Sequence, residues 1–73
     1  MDELREELRK YNYRVESYAD FVSVGIGEGV KVNLLADGGS ELELGFESHR
    51  DLSADETKAL ADVLRIFEEW RQE

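Results

Sequence analysis

A chain of 73 residues, 41% of them hydrophobic, has the length of one small domain, and no apolar run in it is long enough to span a bilayer. The absence of cysteine excludes disulfides and thiolate metal sites. A net charge of −9 speaks against direct binding to nucleic acid or to an anionic membrane, and suits either plain solubility or a basic protein partner.

The first predicted element is a helix. Leu4, Leu8 and Tyr11 recur at spacings of four and three, which places them on one face. Around them Asp2 is placed to meet Arg5, and Glu6 and Glu7 to meet Lys10. The stripe has two continuations. It runs on through Val15, Tyr18 and Val22, or the helix stops near Asn12 and Tyr13, Val15 and Ser17 alternate as a short strand. The β-branched and aromatic content after Asn12 favours the short helix.

Three strands follow. Val22, Val24 and Ile26 alternate with small residues; after Gly27-Glu28-Gly29 the alternation resumes with Val30, Val32 and Leu34. After Asp37-Gly38-Gly39-Ser40 it resumes again with Leu42, Leu44 and Phe46, while Glu41, Glu43 and Glu47 point the other way. Period-two patterning broken by glycine-rich turns predicts an antiparallel meander with one apolar face.

The last segment predicts a long helix. Ser53 precedes Glu56 by three residues, the spacing of a capping box, and Asp55 adds negative charge to the first turn. Leu60, Val63, Leu64, Phe67 and Trp70 form the apolar stripe, widened by Ala59 and Ile66. The expected fold is therefore α+β over residues 1–73, in the order α-β-β-β-α. Residues 13–18 supply a fourth strand if the first helix is short. Both helices cover the apolar face and leave Glu41, Glu43 and Glu47 on the open one.

The short motifs carry little chemistry. Gly25-Ile26-Gly27-Glu28-Gly29 lies between two strand patterns, not between a strand and a helix N-terminus, so it reads as a hairpin rather than a phosphate loop. His49-Arg50-Asp51-Leu52 matches part of a kinase catalytic loop. The asparagine position is Glu56, however, and no ATP-binding elements accompany it. His49 has no identifiable nucleophile nearby. Glu41 and Glu43 are about 7 Å apart on one strand face, which reads as a solvated surface rather than a cation site. These residues name no catalytic group, cofactor or metal, so a non-enzymatic role is expected. The amino-terminal residues show no apolar signal region, and the expected location is cytoplasmic.

The order α-β-β-β-α is similar to that of the double-stranded-RNA-binding domain, in element order alone. That family reaches phosphates with basic groups at the start of its second helix. Here Asp55 and Glu56 stand there with a single lysine, Lys58, which argues against RNA binding.

Charge distribution is more informative. Residues 37–56 hold seven acids, Asp37, Glu41, Glu43, Glu47, Asp51, Asp55 and Glu56, against Arg50 alone, and so account for −6 of the net −9. A continuous stripe of Glu41, Glu43, Glu47, Asp51, Asp55 and Glu56 would steer a basic protein surface, including a nucleic-acid-binding groove if the stripe imitates spaced phosphates. The alternative is a homodimer joined through an apolar patch at Ile66, Phe67 and Trp70 or through an edge strand, with acidity serving solubility or salt adaptation.

Overall fold

The computed structural model describes residues 2–45 and 51–72. Helix α1 spans Asp2–Arg9, strand β1 Arg14–Ser17, β2 Phe21–Gly27, β3 Val30–Leu35, β4 Ser40–Leu44, and helix α2 Ala54–Arg71. The four strands form one antiparallel meander in the order β1-β2-β3-β4. The short first helix and the early strand are thus both present. The element order α-β-β-β-β-α departs from the RNA-binding arrangement by that additional strand.

The end of α1 is set by local backbone geometry. Tyr11 and Asn12 donate their N–H groups to the Leu8 and Arg9 carbonyls, and Asn12 takes the left-handed conformation at φ 66°. Asparagine tolerates that conformation better than most residues, so the chain turns there into β1. Tyr11 therefore falls beyond the helix and is exposed, contrary to its expected place on the apolar stripe. Of the expected ion pairs, Lys10 meets Glu7 at 3.2 Å, whereas Arg5 and Arg9 both turn to Glu6.

The register sorts the sheet into two faces, because residues directly opposite each other point to the same side. Val15, Val22, Val24, Val32 and Leu34 share one face, and all are buried. Leu4 and Leu8 of α1 and Val63, Ile66 and Phe67 of α2 close over them as one core cluster, with Tyr13, Ile26, Leu60, Leu64 and Trp70 at its margin. Both helices therefore lie on the same face. α1 packs on β1 and α2 on β2, and the helices also touch each other.

α2 begins with the expected capping box. The Ser53 side chain accepts from the Glu56 N–H at 3.1 Å, and Glu56 Oε1 accepts from the Ser53 N–H at 2.9 Å. Eighteen residues make a helix about 27 Å long, in a molecule whose longest extent is 35 Å. No helix among the described residues is long and apolar enough to cross a membrane.

A register shift in β2 couples this helix to the sheet. Gly25 pairs with Lys31 and Gly27 with Val30, so Ile26 is an extra residue. A bulge of this kind turns the following side-chain position to the other face. Gly27, which strict alternation would put on the open face, comes to the helix side, beneath Glu56. A Cβ at Gly27 would overlap the Glu56 carboxylate and approach its Cδ at 2.7 Å. Glycine thus makes room for a buried carboxylate, and the N-terminus of α2 is seated at the end of β2. At the opposite end, Gly38 has φ +100°, and its missing Cβ leaves space for the Arg71 guanidinium.

Candidate functional site

The open face can be read row by row from the pairing. One row is Arg14, Gly25, Lys31 and Glu43; the next is Glu16, Ser23, Asn33 and Glu41. Beyond them Phe21 stands opposite Leu35, and the Tyr18 ring stacks on Phe21 with centroids 4.6 Å apart. Arg14 and Lys31 offset two of the three glutamates. The open face is therefore mixed in charge, and its carboxylates without a cation on the same strand gather at β4 as Glu41 and Glu43.

The Tyr18 hydroxyl donates to Glu16 Oε2 at 2.6 Å. This hydrogen bond is the main reason the Tyr18 phenol is held above its ordinary pKa, followed by the Glu16 charge, partial desolvation and the charge of Glu43. Burial similarly raises the phenol of Tyr13, with Asp62 adding to the effect. Asn33 Oδ1 is buried in the same sheet surface with no hydrogen-bond partner.

β4 is the least protected of the four described strands. All five of its residues are exposed, Leu42 and Leu44 at 45% and 46%. These leucines lie on the helix side, opposite Val32 and Val30, which are 1% exposed. The helices pack on this face as expected but do not reach over this strand, for a geometric reason. α2 packs over β2, and β4 lies two inter-strand spacings further out, about 9.5 Å. A helix with its side chains extends only about 5–6 Å from its axis.

The acidic positions separate accordingly. Glu41 and Glu43 project from β4 on the open face. Asp51 is exposed in the connector, Asp55 is exposed in the first turn of α2 on the helix layer, and Glu47 lies outside the described residues, as do Phe46 and His49. Glu56 is only 4% exposed and serves the capping box, so its place in an exposed acidic stripe is corrected. The acids with described positions are divided between two layers instead of forming one stripe.

The proposed apolar patch is corrected in the same way. Ile66 and Phe67 are 3% and 4% exposed and belong to the core. Trp70 is half-buried at its margin, stacked on Phe67 with centroids 6.3 Å apart, and Arg71 lies over the other aromatic partner at 5.8 Å from the Phe67 centroid. The crevice beside Trp70, lined by Glu7, Tyr11, Ile66 and Glu69, has a volume of about 50 Å³. A wider hollow of about 480 Å³ opens near Asn12, Arg14, Gly25, Gly27 and Glu28. Among the described residues no group of three acidic or histidine side chains converges as a metal site would require.

No protein-family model matches the chain, and neither a curated protein nor a solved structure matches it.

Proposed function

We propose that this protein is a non-enzymatic binding module that engages a basic surface of another protein through the β4 side of its sheet. The observation supporting this is the coincidence, on one fully exposed edge strand, of two carboxylates on one side and two half-exposed leucines on the other. Glu41 and Glu43 supply attraction and orientation, and Leu42 and Leu44 supply apolar area for a partner to cover.

The narrower form of this reading, a mimic of nucleic acid, requires a row of carboxylates on one surface. Division of the acids between the open face and the helix layer favours recognition of a basic protein segment instead.

The test is a comparison of partners captured by the wild-type chain and by an E41K/E43K variant, washed at low and at high salt. The expected result is a basic protein held by the wild type, released by salt and lost from the variant. Retention of the same partners by the charge-reversed variant refutes the reading.

A further inference from the structure

The hydrogen-bonding direction of β4 is set by its pairing with β3. Leu35 donates to the Gly39 carbonyl at 2.8 Å, and Gly45 donates to the Gly29 carbonyl at 2.6 Å. In an antiparallel ladder the residues that exchange hydrogen bonds with the neighbour alternate with those that do not. Gly39, Glu41, Glu43 and Gly45 therefore face β3 with their backbone groups. Ser40, Leu42 and Leu44 direct their N–H and C=O groups outward, where no described residue pairs with them. This is an unfilled half-ladder, and such an edge is a template for another strand.

A second copy of this chain is a poor occupant. An antiparallel two-fold pairing must match outward-facing residues with outward-facing residues, so Ser40, Leu42 and Leu44 of one copy pair among themselves. The intervening positions then pair with each other too. Centred on Leu42, the register sets Glu41 against the other copy's Glu43. Centred on Glu43, it sets the two Glu43 side chains together. Like charges directly opposite destabilise a strand pair, and each protomer adds its net charge of −9. The glutamates thus guard the edge against self-association while leaving it open to the opposite charge.

From this we infer that β4 accepts, by strand addition, an extended segment of another protein in which basic and apolar residues alternate. Its basic side chains lie beside Glu41 and Glu43 on the open face, and its apolar side chains lie beside Leu42 and Leu44 on the helix side. Its backbone completes the ladder with Ser40, Leu42 and Leu44. The inference rests on the proposed engagement of a basic surface and adds the backbone conformation and side-chain pattern of what is engaged.

The test uses the full chain and three labelled peptides followed by fluorescence anisotropy: an alternating Lys-Val peptide, a block isomer of the same composition, and the alternating peptide N-methylated on the backbone groups that would pair. The alternating peptide is expected to bind at least tenfold tighter than either control and to slow amide exchange at Leu42 and Leu44. The E41K/E43K variant is expected to lose at least tenfold in affinity for it. If all three peptides bind alike and lose affinity alike on charge reversal, strand addition is overturned while recognition of a basic partner stands. If none binds, and charge reversal also leaves the captured partners unchanged, both readings fall. The N-methylated control needs no change to the protein, so the outcome does not depend on how well a variant folds.

Discussion

The seat of Glu56 on Gly27 offers a quantitative test of how α2 is joined to the sheet. In Gly27→Ala the new methyl group would occupy the volume of the Glu56 carboxylate, which is itself only 4% exposed. The side chain must swing away and abandon the 2.9 Å hydrogen bond from the Ser53 N–H. Loss of that bond and displacement of a packed buried group together cost about 1–3 kcal/mol. In a chain of this size about 1 kcal/mol lowers the melting temperature by about 4–8 °C. Glu56→Ala alone removes the same hydrogen bond, for which a loss of about 1 kcal/mol is expected. In the Glu56→Ala background the three atoms nearest the new methyl group are gone, and the cost of Gly27→Ala is expected to fall to about zero, because alanine is the better strand residue at ordinary φ. The expected coupling energy in the double-mutant cycle is therefore about 1–3 kcal/mol. Urea unfolding followed by Trp70 fluorescence would measure all four variants. Equal cost of Gly27→Ala with and without Glu56 would refute the reasoning, as would a Gly27→Ala chain as stable as wild type.

Three further outcomes are expected. Leu34→Ala, at a fully buried position, should destabilise by about 2–5 kcal/mol, whereas Leu42→Ala, at a 45% exposed one, should cost less than about 1.5 kcal/mol by the same urea titration. The Tyr18 phenol, held up by its hydrogen bond to Glu16, should titrate earlier in Glu16→Gln when phenolate absorbance is followed. Because the folded-state pKa is the raised one, the stabilisation from this contact is complete below the unfolded tyrosine pKa and is lost as pH rises through the folded value, so the destabilisation in Glu16→Gln should vanish in strong alkali. Sedimentation of the wild type alone should give one protomer at low salt, and an equimolar mixture with E41K/E43K should give a mixed dimer, since lysines then face Glu41 and Glu43 across the β4 edges. A wild-type dimer at low salt would contradict the like-charge argument.

Much of this architecture is legible in the order of the residues. Period-two runs at Val22–Ile26, Val30–Leu34 and Leu42–Leu44 give three strands, because side chains alternate across a pleated backbone. The spacing from Ser53 to Glu56 gives the start of α2, because a cap is built from neighbours in sequence. The end of α1 is also local, since Asn12 adopts the left-handed conformation that turns the chain. The same locality explains where such reading stops. The position of α2 over β2 depends on contacts between residues far apart in the chain, and that position decides that Leu34 is buried while Leu42, on an equally alternating strand, remains half-exposed. The bulge at Ile26 depends on how two strands pair, and it brings Gly27 under Glu56, turning a residue that reads as surface acid into a buried one. Ile66 and Phe67 likewise become core once α1 and the sheet close over them. Sequence by itself determined the periods, the caps and the total charge, because these are set within a few residues or by simple composition. Only the tertiary structure decided which apolar and acidic side chains meet water, because exposure is a property of what packs on top of them.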